Sequence, residues 1–103
     1  MIVAISASHS DLLAPVDLHF GRSPFFGIYD TATRVLSFVE NREMDNSKEA
    51  GRFVVEQLLE LGTTVVVAGR FGNKVVEILR SKGVQMVVVA QGQTVEYIIN
   101  RIK

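Results

Sequence analysis

The chain has 103 residues, 48% of them hydrophobic, and this length and composition predict one domain over residues 1–103 with a packed core. It contains no cysteine, which excludes a disulfide scaffold and any cysteine-ligated zinc. Eleven basic residues balance eleven acidic ones and are scattered along the chain, so general nucleic-acid binding is disfavoured.

The N-terminal part predicts a strand followed by a long loop. Residues 1–7 are a short apolar run with isoleucine and valine, which is typical of a buried strand. The loop 8–24 contains both histidines and both prolines of the chain and is longer than most connections, and such loops tend to be either functional or disordered. Its apolar side chains predict that it packs against the body of the domain; they are Leu12, Leu13, Val16 and Phe20.

Two aromatic and β-branched runs, 25–30 and 34–40, then predict a hairpin, because only three residues join them. A polar stretch, 41–47, leads to the first helix. There, apolar residues recur at helical spacing over 50–61, and the glycine that follows is a natural stop. Asn46 and Glu49 match a capping pair at its start.

The rest of the chain alternates between strands and helices. Residues 63–68 form a continuous β-branched run, which is typical of a parallel strand covered on both faces. A helix at 73–82, a second such strand at 84–90 and a last helix at 94–102 follow from the same patterns.

The predicted element order is β-β-β-α-β-α-β-α, which indicates an α/β fold. Strand–helix–strand crossovers are right-handed and place the late strands parallel to one another. We therefore expect a mixed sheet of five strands in the order 3-2-1-4-5, with strand 2 antiparallel, and three helices.

Three loops leave the carboxyl ends of the predicted parallel strands, where ligands bind in folds of this class. They are the loop from Ser8 onward, 69–73 and 91–94, and the last two open helices whose free N–H groups favour an anion. The spacing of Gly69 and Gly72 does not match a nucleotide-binding loop. The plainer interpretation is that these glycines permit a tight turn and close helix packing.

His19 is the main candidate in the long loop, because an imidazole can act as a metal ligand, an acid–base group or a hydrogen-bonding group. Asp17 is near enough in sequence to orient its second nitrogen, and Arg22 to pair with an anion through a bidentate fork. The alternative is a histidine that hydrogen-bonds a backbone carbonyl while Phe20 fills the core. His9 lies in a serine-rich turn and is a weaker candidate.

Hydrolytic chemistry has little support in the sequence. No G-x-S-x-G motif surrounds any serine. The first strand carries no carboxylate, which a two-metal nuclease on such a sheet needs. A small anion-binding or hydrolytic enzyme that uses the glycine loops is a minor alternative.

The sequence resembles the dinitrogenase iron–molybdenum cofactor biosynthesis family, which includes NifX-like domains and the C-terminal domain of NifB-type proteins. The resemblance lies in the start "MIVAIS", in "HFGRSPFFGIYD" at 19–30, and in a β-branched strand that ends at Ala68-Gly69 with Gly72 beyond it. It spans nearly the whole chain. It implies a ribonuclease H-like α/β fold without nuclease activity.

The resemblance further implies that the chain binds an iron–sulfur-based cluster, either iron–molybdenum cofactor or a precursor, and carries it between donor and acceptor proteins without catalysis. His19 matches the histidine of the family in this loop and would contact the metal. Arg22 and the amides near four glycines would face the negative charge of the cluster; these glycines are Gly21, Gly69, Gly72 and Gly92.

The lack of cysteine means that the usual thiolate cage is absent, so a cluster would be weakly held and not covalently attached. The alternative function is a protein-interaction or regulatory module of the same fold with no cluster bound. No apolar run reaches the roughly 18 residues of a membrane span, and the N-terminus lacks the features of a secretory signal. We therefore expect a cytoplasmic location away from membranes, with the oligomeric state left open.

Overall fold

All five predicted strands and all three helices are present in the computed structural model, which describes residues 1–42 and 50–102. The strands are β1 Ile2–Ala7, β2 Phe25–Asp30, β3 Val35–Glu40, β4 Thr63–Ala68 and β5 Gln85–Val88. The helices are α1 Ala50–Glu60, α2 Asn73–Ser81 and α3 Val95–Ile102. Within the described residues, no helix has the length and apolarity that crossing a membrane requires.

The strands form one sheet in the order β3-β2-β1-β4-β5. β2 runs antiparallel to both of its neighbours, whereas β4 is parallel to β1 and β5 is parallel to β4. The predicted α/β class, strand order and single antiparallel strand are therefore confirmed. The central strands β1 and β4 are buried on both faces, which explains why their sequences are continuous apolar runs.

Helices on both faces of the sheet create two separate cores. α1 and α2 lie on one face, and the largest side chains buried there are Phe20, Phe26, Leu58 and Leu79. The second face is covered by α3 and the loop after β1; its buried side chains include Ile5, Val16, Val67, Val95 and Ile98. Because α3 has only eight residues, its face of the sheet is covered less completely.

Several element ends differ from the prediction because the sheet or a turn decides them. β5 stops at Val88, two residues early, since it pairs only with β4, which ends at Ala68 opposite Val88. Arg34 lies in the turn between β2 and β3 with a φ of 61°, so β3 begins one residue later than predicted. The predicted capping pair, Asn46 and Glu49, lies outside the described residues.

Backbone hydrogen bonds attach the long loop between β1 and β2 to the rest of the molecule. The Val16 N–H, for example, donates to the Gln93 carbonyl at 2.8 Å, just before α3. Val16 and Phe20 are buried as predicted, but Leu12 and Leu13 are exposed. The prediction was wrong for those two leucines because the backbone, and not their side chains, attaches this part of the loop.

Candidate functional site

The segment 17–20 of the long loop lies alongside the residues that follow β4. The Arg70 N–H donates to the Leu18 carbonyl at 2.7 Å, and the Phe20 N–H donates to the Arg70 carbonyl at 3.2 Å. This short parallel ladder makes His19 and Arg70 direct neighbours across the two segments. The loops after β1 and after β4 therefore meet at one edge of the sheet, as the sequence predicts.

Gly69 allows these two segments to approach each other closely. A Cβ atom at this position would lie 2.9 Å from both the Cα and the carbonyl oxygen of Leu18, closer than Cβ atoms are found to lie. Close backbone packing, the plainer of the two sequence interpretations, therefore accounts for this glycine.

His19 and Phe20 are adjacent but have opposite environments. Phe20 is 1% exposed and packs against the rings of Phe26 and Phe71, with centroids 5.4 and 5.2 Å away. His19 is exposed, and within the described residues its side chain makes no hydrogen bond. The Asp17 carboxylate accepts a hydrogen bond from the Ser8 hydroxyl at 3.1 Å and does not orient the imidazole. The imidazole is therefore free to meet a ligand, whereas Phe20 fixes the loop.

A hollow of about 300 Å³ opens beside His19, between the long loop and the starts of α1 and α2, and we call it the basic hollow. Its lining consists of His19, Phe20, Gly21, Arg22, Gly51, Arg70, Gly72 and Val75. Four of the six predicted site residues, His19, Gly21, Arg22 and Gly72, are thus brought together.

The charged side chains that the described residues contribute to the basic hollow all have the same sign. Arg22 and Arg70 are exposed, and within the described part of the chain neither guanidinium has an ion-pair or hydrogen-bond partner. No Asp or Glu is among the lining residues that the structure describes. Two unpaired guanidinium groups beside an imidazole are suited to an anion, because each guanidinium presents several donors in a fixed fork.

The start of α2 adds to this preference for negative charge. Gly72 precedes the helix with extended backbone, φ −69° and ψ 157°, and no side chain of the described residues caps the helix start. The first N–H groups of the helix consequently have no intrahelical partner, and the helix dipole favours an anion there. α2 has no acidic residue in its first turn.

Two buried polar side chains hold the Gly21–Arg22 corner of the hollow in place. Asn41 donates from its side-chain amide to the carbonyl of Gly21 at 3.1 Å and to that of Ser23 at 2.8 Å. The Ser23 hydroxyl oxygen accepts the N–H of Ala7 at 2.9 Å. Ser23 and Asn41 are 0% and 2% exposed. The corner is therefore tied both to β1 and to the end of β3.

The other two predicted site residues lie elsewhere on the same edge. Gly92 lines a second, smaller depression of about 210 Å³, together with Asp17, Leu18 and Gly69. The ladder between 17–20 and 69–70 separates this depression from the basic hollow. Gly92 has a φ of 97°, so its turn conformation is sufficient reason for a glycine there.

The basic hollow does not contain a complete set of metal ligands. The described residues include no group of three or more His, Asp or Glu side chains that could hold a metal ion. His19 is the only imidazole in the lining and offers one nitrogen. A metal cluster bound in the hollow would therefore have to bring its other ligands with it.

Sequence reasoning missed Arg70, Gly51, Ser23 and Asn41 as parts of the site. The only available signal for Arg70 was its place between two glycines in a predicted rim loop. Asn41 follows β3 directly, and pairing of the hairpin strands puts it next to Pro24, whose carbonyl accepts its N–H at 2.9 Å. A prediction of which residues pair across the hairpin would have indicated that Asn41 lies beside Pro24.

Two solved structures and one family model are similar to this chain over most or all of its length. The apo form of the orange protein from Desulfovibrio gigas is 28% identical, with a TM-score of 0.91, over 98% of this chain and 85% of that one. An NMR structure of a candidate NifB protein of the DUF35 family from Thermotoga is 32% identical, with a TM-score of 0.85 and the same coverage. The search of the curated proteins gives no match. The family model described as dinitrogenase iron-molybdenum cofactor matches residues 1–103. The chain therefore belongs to the dinitrogenase iron–molybdenum cofactor family.

Proposed function

We propose that the protein binds and carries a negatively charged, iron–sulfur-based metallocluster, either iron–molybdenum cofactor or a precursor of it, without catalysing a reaction. The observation that carries this proposal is the basic hollow, which combines an exposed imidazole, two guanidinium groups and the start of α2. Among residues 1–42 and 50–102, no side chain pairs with these guanidinium groups or caps the helix, and no carboxylate lines the hollow. Family membership supports a role in the biosynthesis or binding of that cofactor.

The balance of contacts in the hollow favours carriage over permanent storage. His19 would supply one metal–nitrogen bond, while Arg22, Arg70 and the N–H groups at the start of α2 would supply hydrogen bonds and positive charge. A cluster held in this way keeps its other ligand positions for a donor or acceptor protein. With no thiolate in the chain, release needs only one coordinate bond to break.

The alternative, an interaction module that binds no cluster, makes a different prediction for the same residues. It predicts that a partner binds through the long loop in pull-down experiments and that a metal cluster does not stabilise the protein. In the described part of the chain the imidazole of His19 is exposed and makes no hydrogen bond, so its nitrogens are accessible to a metal, as the carrier requires.

The proposal is tested by anaerobic mixing with isolated iron–molybdenum cofactor, followed by gel filtration and visible absorption of the protein peak. We expect the wild type to retain the cofactor and His19→Ala to bind at least about tenfold more weakly, since a charge-assisted or metal contact is lost. His9→Ala is the matched control, because His9 is the other exposed histidine of the same loop and does not line the hollow.

Two outcomes would contradict the proposal in different ways. If the wild type retains no cofactor, carriage of iron–molybdenum cofactor itself is excluded. If both histidine variants retain it as well as the wild type, His19 is not a ligand, and Arg22→Gln and Arg70→Gln then decide whether the hollow is the binding site at all.

A further inference from the structure

The face of the sheet that carries α3 has an uncovered apolar part. Beside α3 lies an open groove of about 560 Å³ that extends to β5, the last strand of the sheet, and we call it the apolar groove. Its floor includes Val67, Val87 and Val89, and α3 contributes Tyr97, Ile98 and Arg101 to its wall. None of its described lining residues also lines the basic hollow.

The width of the apolar groove matches one α-helix. Neighbouring strands are about 4.8 Å apart, so the floor from β4 to the outer side of β5 is about 10 Å wide. A helix with its side chains has a diameter of about 10 Å. The opposite face of the sheet carries two helices, α1 and α2, whereas α3 is the one described helix on this face.

A second copy of the chain is a poor occupant for this groove. The apolar faces of α1, α2 and α3 are already buried within the chain, in residues such as Leu58, Leu79 and Ile98, so no described helix has a free apolar face to offer. If two copies paired through their β5 strands, the two sheets would become one wider sheet. The valines of both grooves would still be exposed. A helix from another protein therefore fits the groove better than a second copy of the chain does.

The charge at the wall of the groove indicates which charged side chains the incoming helix would carry. Among the described lining residues, Arg101 has the only charged side chain, and its guanidinium lies 5.4 Å from the centre of the Tyr97 ring. Within the described residues, Arg101 forms no ion pair with a carboxylate. A carboxylate beside the apolar stripe of an incoming helix would meet this guanidinium at the groove edge.

We propose that the apolar groove binds an amphipathic helix of a partner protein, with acidic residues flanking its apolar stripe. This recognition follows the general mode in which a helix places its apolar face in a groove and charged residues set its orientation. Because the described linings of the groove and of the basic hollow have no residue in common, we expect the helix to bind whether or not the hollow is occupied.

Two synthetic peptides of about 18 residues, five helical turns, serve as probes. Both have the same leucine stripe, and they differ only in carrying glutamate or lysine beside it. We expect the glutamate peptide to bind the full-length protein with a Kd on the order of 10 µM by fluorescence anisotropy. The methyl resonances of Val87 and Val89 should shift on binding.

Charge reversal provides the controls. Arg101→Glu should weaken the glutamate peptide at least about tenfold and should permit the lysine peptide to bind. Arg80→Glu, the same change in the last turn of α2, should leave both affinities unchanged. Absence of saturable binding by either peptide up to about 1 mM, methyl shifts away from the groove, or indifference to Arg101→Glu would each overturn the proposal. Concentration-dependent dimerisation through this face in sedimentation would also overturn it.

Discussion

Gly69 and Gly72, three residues apart in the loop before α2, have very different surroundings. A Cβ atom on Gly69 would collide with the Leu18 backbone, whereas one on Gly72 would have no atom within 4 Å. The backbone angles of Gly72 are also accessible to any residue. Steric need therefore explains the first glycine and does not explain the second.

This contrast predicts that two alanine substitutions change the free energy of unfolding by different amounts. Gly69→Ala should lower the free energy of unfolding by about 1–3 kcal/mol, because the backbone of Leu18 must move. Gly72→Ala should change it by less than about 1 kcal/mol, since a weaker helix cap and a more restricted unfolded chain offset each other. Urea unfolding followed by circular dichroism measures both, and a larger loss for Gly72→Ala would contradict the geometry.

At the scale of single elements, the β2–β3 hairpin contains the one non-glycine residue with a positive φ in the described part of the chain. Arg34 closes the turn with its N–H bonded to the Asp30 carbonyl at 2.7 Å, and it has a φ of 61°. The Asp30 carboxylate also accepts the N–H of Ala32 at 2.9 Å. The turn is therefore well bonded but requires a left-handed residue at its end.

We predict that Arg34→Gly stabilises the protein by about 0.5–1 kcal/mol. Glycine removes a left-handed penalty of about 1–2 kcal/mol, and the greater entropy of the unfolded chain takes back about half of that gain. Arg34→Ala is the control, because it removes the same side chain but keeps the Cβ. Equal urea midpoints for the two variants would show that the backbone conformation is not strained.

The elements themselves were predictable because their signals are local. The β-branched run at Thr63–Ala68 and the helical spacing at Asn73–Ser81 need no knowledge of distant residues. The strand order followed from the handedness of the crossovers, which is a general property of such connections. Only the ends of elements differ from the prediction. β5, for example, ends at Val88 because the neighbouring strand β4 ends opposite that residue.

The site was only partly predictable because it is built from non-local pairing. His19 and Arg22 stood out as rare or charged residues in an unusual loop. Arg70 carries no such signal and becomes part of the hollow only when 17–20 pairs with 69–70. Gly92 illustrates the reverse case: a rim glycine that the fold places in a separate depression.

At the scale of the whole molecule, a formal net charge of zero conceals a strongly uneven distribution. The basic hollow gathers His19, Arg22 and Arg70, and no carboxylate is among its described lining residues. On the far side of α1, the groove beside β3 is lined by three glutamates, Glu40, Glu56 and Glu60, and one arginine. An anion would therefore be attracted by the local field of the hollow and not by the overall charge of the protein.

The salt dependence of cofactor binding distinguishes attraction by the basic hollow from attraction by the net charge of the protein. Binding of isolated iron–molybdenum cofactor should weaken severalfold as salt rises from about 0.1 to 1 M, because the screening length falls from about 10 to 3 Å.

The double variant Arg22→Gln with Arg70→Gln should bind the cofactor more weakly at low salt, and its affinity should respond less to added salt. Arg34→Gln combined with Arg80→Gln removes the same two charges from exposed positions outside the hollow and should retain the wild-type affinity and salt response. Anaerobic titrations of the three proteins test this directly. If both double variants lose affinity equally, net charge and not the hollow attracts the cluster.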